Sequence, residues 1–391
     1  MVKLFKKISF GKPKVADVII FNDINAHKLP QVIPEGFSKV IFRTNPVEIN
    51  ISYKIFLNFI LNLKYFNFNN LFGSKRGALY QIIWQLQMIY IKADLDWRKP
   101  KALITYIDNC KKFAWLSENF GPPCIAIQNG FRLTYAADAE NDYYCNHLFC
   151  FGNQQIDKFL EIGYKVDNFY PVGSLNLSNN FDKNLVSVEP VFDFLVVSCW
   201  RGNIGFGEDV ADSMKAMRVM DTLFAQYLKR RNFRAAVILR SERNSDQWVM
   251  PEIEMSEEDY YKSIYGNALE IIDANFAEFN VYPLMQASDV IIAGFSTTCI
   301  VEALSMGKKV LYANFCETKK YHSDFSSEII FEGKISDAAN FEARLDMLSE
   351  MPELEYQSKH EKLMNYYVVS PENLSTHEEI RSGIFNILAD G

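Results

Sequence analysis

None of the seven cysteines, Cys110, Cys124, Cys145, Cys150, Cys199, Cys299 and Cys316, stands in a C-x-x-C pair, and their number is odd. Most sit inside apolar runs, which reads as buried thiols in a reducing compartment and excludes a disulfide framework. The five histidines, His27, His147, His322, His360 and His377, are scattered without metal-ligand spacing, so no metal is expected. Asp94-Leu95-Asp96 is the sole Asp-x-Asp pair and gives metal-dependent chemistry little support. Neither a Walker A sequence nor G-x-G-x-x-G is present, which sets aside P-loop kinases and typical dinucleotide enzymes, and no cofactor is expected.

Basic charge is also short. Against 48 Asp and Glu there are 41 Lys and Arg, a net charge of −7, too acidic for a protein that must neutralise a nucleic-acid backbone. Long apolar runs are missing too. The most hydrophobic window, residues 51–63, is interrupted by Lys54 and Asn58 and falls short of the roughly 20 residues that span a bilayer. Lys3, Lys6 and Lys7 are followed by Gly11-Lys12-Pro13-Lys14 and not by an apolar core, so a secretory signal is not expected and the cytoplasm is. With Tyr65, Phe66, Phe68, Leu71 and Phe72, and flanking Lys64, Lys75 and Arg76, the window reads as a core helix followed by an aromatic loop. The alternative is a segment resting on the inner face of the membrane.

What is present is a globular composition, 49% hydrophobic and 23% charged over 391 residues, enough for two separately packed cores. Short β-like runs at 17–21, 39–42, 102–107, 124–128, 147–151 and 168–171 alternate with helical stretches. A polar, Asn-rich segment at 174–189 interrupts the rhythm. A second series follows at 192–198, 235–240, 269–272, 289–293, 309–313 and 328–331. Such alternation predicts parallel sheets with helices on both faces. The expected organisation is a first domain over 1–175, a second over 190–365, and a terminal helical segment, 366–391, that packs back toward the first.

The most informative stretch is Ser288-Asp289-Val290-Ile291-Ile292-Ala293-Gly294-Phe295-Ser296-Thr297-Thr298-Cys299-Ile300-Val301-Glu302-Ala303-Leu304. It reads as strand, hydroxyl-rich turn and helix. A helix N-terminus carries unpaired N–H groups and the positive end of the macrodipole, so it favours an anion such as phosphate, with Ser296, Thr297 and Thr298 as extra donors or caps. Glu302, one turn further on, is placed to accept from ribose hydroxyls. An ordinary N-capped helix is the alternative. Tyr282 and Pro283, in a loop before this strand, are candidates for holding a base.

In open parallel sheets, ligands bind beyond the carboxyl ends of the strands. The polar residues that follow the apolar runs are therefore the next candidates: Asp23, Asp108 and Asn109, then Gln128, Asn129, Gly130 and Arg132. In the second series they are Ser198, Arg201, Arg240 and Gly294. Arg132, Arg201 and Arg240 each follow a strand and offer a planar fork for phosphate or carboxylate. Asp108 is the favoured general base, with Asp23, Asp138 and Glu140 behind it. Turns and rim ion pairs use the same residue types, so the spacing alone does not choose among these.

Three blocks carry a resemblance: Ile125-Ala126-Ile127-Gln128-Asn129-Gly130-Phe131-Arg132, then Tyr170-Pro171-Val172-Gly173-Ser174, and the stretch from Ser288 through Glu302-Ala303-Leu304-Ser305-Met306-Gly307-Lys308-Lys309-Val310. Together they resemble bacterial surface-carbohydrate biosynthesis proteins of GT-B glycosyltransferase architecture, over about residues 17 to 307. The resemblance implies an α/β fold of two Rossmann-like parallel-sheet domains facing across a cleft, with a C-terminal helix crossing back. Its Ser-Thr-Thr helix start is similar to the motif with which sialyl-, Kdo- and pseudaminic-acid transferases hold a CMP-sugar phosphate. That likeness implies phosphate binding by Ser296, Thr297 and Thr298, ribose binding by Glu302, and a carboxylate partner in Arg132. The His-Pro pair common among sialyltransferases has no counterpart here.

The expected partners are a nucleotide-sugar donor, CMP-linked by preference, and a glycan or lipid-linked glycan acceptor of capsule or lipopolysaccharide assembly. Contact with a membrane surface is a third expectation and nucleic acid is excluded. A CDP-polyol phosphotransferase of teichoic-acid type and a non-catalytic nucleotide-sugar or glycan-binding protein are the alternatives.

Overall fold

The computed structural model describes residues 5–9, 13–22, 25–44, 47–50, 52–68, 77–132, 143–180, 190–200, 208–240, 255–273, 281–295, 297–316, 325–369 and 375–390. The chain divides into two compact units. The first holds Met1–Asn129, Asp138–Leu175 and Pro371–Gly391, and the second holds Gly130–Ala137 and Asn176–Ser370.

In the first unit the strands are β1 (Phe5–Ser9), β2 (Val18–Phe21), β3 (Lys39–Phe42), β4 (Val47–Asn50), β5 (Ala102–Thr105), β6 (Cys124–Ile127), β7 (Tyr144–Cys150) and β8 (Lys165–Pro171). Six of them form a sheet in the order β3-β2-β5-β6-β7-β8 with every pairing parallel, while β1 and β4 make a separate parallel pair. The central strands read Val-Ile-Ile-Phe, Ala-Leu-Ile-Thr and Cys-Ile-Ala-Ile, and all of their residues are buried. Continuous apolar runs are what a parallel sheet covered on both faces requires. The helices are α1 (Tyr53–Asn62), α2 (Ala78–Arg98), α3 (Lys111–Asn119) and α4 (Asn153–Glu161), while α5 (Leu175–Asn180) starts at the boundary and lies, apart from Leu175, in the second unit.

The second unit repeats the design with β9 (Phe192–Val197), β10 (Ala235–Ile238), β11 (Glu270–Ile272), β12 (Ser288–Ala293), β13 (Lys309–Asn314) and β14 (Ile330–Glu332). These lie parallel in the order β11-β10-β9-β12-β13-β14. Its helices are α6 (Glu208–Arg230), α7 (Glu257–Tyr265), α8 (Val281–Gln286), α9 (Thr298–Ser305), α10 (Ala338–Glu350) and α11 (Glu353–Tyr367). Each sheet turns back on itself once. The reversal falls between β2 and β5 in the first unit and between β9 and β12 in the second, and such switch points are where doubly wound sheets bind ligands.

The last helix, α12 (Thr376–Asp390), belongs to the first unit. Ile380, Ile384, Ile387 and Leu388 are buried in one core with Val18, Ile20, Ile104, Ile127 and Phe149. Gly383 permits the close approach, since a Cβ there would stand 2.7 Å from the Phe149 ring. Ser375 and Glu378 bond reciprocally at the helix start, and Arg381 donates to the Gln31 carbonyl at 2.6 Å.

Helix α1 departs from the expectation of a core helix. Tyr53, Phe56, Leu57, Ile60 and Leu61 are exposed, and the side packed against α2 carries Asn58 and Asn62. The reason lies in the placement of polar groups. The Asn62 amide donates to Asp96 and the Asn58 amide to the Ala93 carbonyl, both on α2, which turns the apolar face outward. Among the described residues, no helix is long and apolar enough to cross a membrane.

Candidate active site

At the switch point of the second sheet, the segments after β9 and β12 meet the start of α9. Thr297 caps that helix: its hydroxyl accepts from the Cys299 N–H at 3.4 Å and its carbonyl from the Ile300 N–H at 3.2 Å. Thr298 opens the helix half-exposed, and its Oγ1 accepts from the Phe131 N–H at 3.0 Å. Phe131 is held by ring contacts with Phe325 and Tyr367, at 5.5 and 5.9 Å between centroids. A methyl group on Gly130 would lie 3.3 Å from Thr298 Oγ1 and 3.7 Å from an Arg132 guanidinium nitrogen. Arg132 therefore stands beside the helix tip. Two threonine hydroxyls and a guanidinium near the positive end of a helix dipole are groups of the kind that attract an anion.

The segment after β9 joins a polar lattice centred on Glu257, in the first turn of α7 and 2% exposed. Its Oε1 accepts a short hydrogen bond from the Ser198 hydroxyl and another, at 2.8 Å, from the Arg240 N–H. Ser198 Oγ in turn accepts from the Trp200 N–H at 3.2 Å, and Arg240 Nη1 donates to the Trp200 carbonyl at 2.9 Å. The lattice fixes the loop after β9 and the end of β10. Glu257 was not singled out in the sequence, although Ser256-Glu257-Glu258-Asp259 is a recognisable helix start. Only its distance from Ser198 hid the connection.

Glu302 lies within α9 and is 1% exposed, with the Tyr282 hydroxyl donating to its Oε2 at 3.1 Å. Tyr282 and Pro283 are in helix α8, not in a loop; the Pro283 carbonyl accepts from Ala287, so these backbone groups serve the helix. Gly294 has a packing duty. A Cβ there would meet Met220 Cε at 2.9 Å and the Met217 Cα at 3.2 Å, so the glycine lets α6 lie on the end of β12. Cys299 beside the cap is half-buried, and its thiol is pushed up to about 12, chiefly by desolvation.

In the first unit, Asp108 follows β5 at the switch point. It is 2% exposed, and its Oδ1 accepts from the Asn129 N–H at 3.2 Å. Asn109 is exposed in a turn closed by Cys110 N–H onto the Ile107 carbonyl. Gln128 is buried and committed internally: its amide makes a short bond to Gln155 Oε1, and its Oε1 accepts from the Phe151 N–H at 2.9 Å. The Asp-x-Asp carboxylates are ion-paired on α2, Asp94 with Arg98 and Asp96 with Lys92. Thus Asp108 and Asn129 come together in one unit, and Gly130, Arg132, Thr297 and Thr298 in the other. Asp23, Asp138, Glu140, Arg201 and Ser296 lie outside the described residues.

No protein-family model and no curated protein matches the sequence. Solved structures do match along the whole chain. UDP-GlcNAc 2-epimerase from Neisseria meningitidis, bound to UDP-GlcNAc, aligns with a TM-score of 0.53 and 13% identity, covering 99% of this chain and 100% of its own. A variant of the wall teichoic acid polymerase TagF aligns at 0.51 and 10% identity, over 96% of this chain and 89% of its own. Arabidopsis thaliana UGT89C1 complexed with UDP-L-rhamnose aligns at 0.50 and 9% identity, over 96% and 100%. The chain has the GT-B fold. Within that GT-B frame the switch-point residues described above are the natural place to look for a ligand, because fold alone does not assign chemistry.

Proposed function

We propose that this GT-B chain is a glycosyltransferase that moves a sugar from a nucleotide donor onto a surface-glycan acceptor. One observation carries the reading: at the second sheet's switch point, Thr297 and Thr298 open α9 with the Arg132 guanidinium beside them. Glycosyl transfer requires the charge that develops on the departing phosphate to be met by fixed dipoles and cations. In this reading the helix end, the threonine hydroxyls and Arg132 meet it. Asp108, at the first sheet's switch point, is the proposed base for the acceptor hydroxyl. Solved structures of the same fold hold UDP-GlcNAc and UDP-L-rhamnose, which supports a nucleotide sugar as the ligand class.

The donor we favour is CMP-linked nonulosonic acid or Kdo. Such a sugar carries its own carboxylate, and an arginine next to the phosphate seat gives that carboxylate a partner. Calorimetry and thermal unfolding with CMP, CDP, UDP and GDP test both levels of the reading. At about 100 times Kd the preferred nucleotide should stabilise the protein by about 2.7 kcal/mol. Thr298→Val and Arg132→Ala should each weaken that binding at least tenfold. Silence toward all four nucleotides overturns the transferase reading, whereas a response to CDP or UDP alone removes only the CMP assignment. Binding without turnover on any donor, unchanged by Asp108→Asn, would leave a nucleotide-binding protein.

A further inference from the structure

Helix α1 is amphipathic in the reverse sense from a helix that closes a core. Tyr53, Phe56, Leu57, Ile60 and Leu61 recur at i, i+3, i+4, i+7 and i+8, so they share one face, and each is between 47% and 72% exposed. The opposite face seats Asn58 and Asn62 against α2 by hydrogen bonds of 3.3 and 2.8 Å. Helix α2 continues the apolar surface at its N-terminal end, where Leu79, Ile83 and Leu86 line one face and are exposed. Of the nineteen large apolar side chains exposed among the described residues, eleven fall between Tyr53 and Leu86. An apolar surface so concentrated marks a contact with something else.

Charge identifies the partner. From Ile49 to Ala93 there is no Asp or Glu, although the chain as a whole carries 48 of them and a net charge of −7. Among the described residues of that span, Lys54 and Lys64 are exposed, whereas Lys92 is buried and ion-paired with Asp96. Lys54 lies on α1 and Lys64 just beyond it, each resting over a tyrosine ring. A second copy of this chain would bring the two basic faces against each other, since a two-fold contact pairs a patch with itself. An acidic surface with an apolar layer behind it suits the patch instead.

We infer that the α1–α2 face docks on an anionic phospholipid surface, with the apolar row entering the headgroup and acyl boundary and the lysines meeting the lipid phosphates. This is the arrangement of an in-plane amphipathic helix, in which buried apolar area and attraction to anionic lipid act together. The inference is independent of the nucleotide reading, because its residues and its test involve no nucleotide.

The test is co-sedimentation of the full-length protein with phosphatidylcholine vesicles, with and without phosphatidylglycerol. The protein should sediment with the anionic vesicles, at least tenfold more strongly than with the neutral ones, and less so in high salt. Combined Phe56→Gln, Leu57→Gln and Leu61→Gln should reduce binding at least tenfold, and Lys54→Glu with Lys64→Glu should remove the preference for anionic lipid. Circular dichroism and the thermal midpoint of both variants should match the parent, because the altered side chains are exposed. Absence of vesicle binding overturns the inference, as does binding that survives both sets of substitutions. Self-association that the glutamine variant abolishes, without lipid binding, assigns the face to a second copy and equally overturns it.

Discussion

Asp221 on α6 is wholly buried, and its two carboxylate oxygens accept from the hydroxyls of Tyr260 and Tyr265, each at 2.7 Å. Desolvation raises its pKa from 3.8 to about 7, against the lowering effect of the two tyrosines. A carboxyl whose pKa is raised on folding contributes stability that is complete below the unfolded value, and the contribution is lost as pH rises through the folded one. Between about pH 4 and 7 the parent should therefore lose, relative to Asp221→Asn, on the order of 4 kcal/mol. Denaturant unfolding of both proteins across that range checks this, and parallel curves would refute it. Elsewhere, single residues were legible in the sequence only where the chemistry is local. The Thr297 cap reads directly from Thr-Thr-Cys before an apolar run. The commitment of Gln128 to Gln155 and the centring of the Ser198 lattice on Glu257 do not, because each partner arrives from another element.

The strands were legible because a sheet covered on both faces demands unbroken apolar runs. The runs at 102–107 and 289–293, for example, became β5 and β12 with shifts of a residue or two at their ends. Helix α1 was not, since its sequence is the same whether the apolar face turns in or out; two asparagine side chains bonded to α2 decide it. The loop expected at Tyr282 became α8 for a similar reason, a proline at its third position being compatible with a first helical turn. Gly294 joins two elements, and its role is spatial. Gly294→Ala places a methyl group 3.2 Å from the Met217 backbone, which cannot swing aside, so the substitution should cost about 1 to 3 kcal/mol. Urea unfolding measures this, and an unchanged midpoint would show that α6 yields at that contact.

The first unit is closed by α12. Burying Ile380, Ile384, Ile387 and Leu388 is worth on the order of 6 to 12 kcal/mol, which rivals the total stability of a typical domain, roughly 5 to 15 kcal/mol. A chain truncated after residue 375 should lose hydrogen-exchange protection in β2, β5 and β6 while β9 and β12 keep theirs. Retained protection in the first sheet would show that α12 is dispensable. The same wiring sets an order of events during synthesis. The second unit is complete once Ser370 has left the ribosome, but the first must wait for α12, about 200 residues after Leu175. At about 5 to 20 residues per second that wait lasts roughly 10 to 40 s. Throughout it the nascent first sheet carries an open apolar flank, so the first unit becomes native after the second and has the greater need of a chaperone.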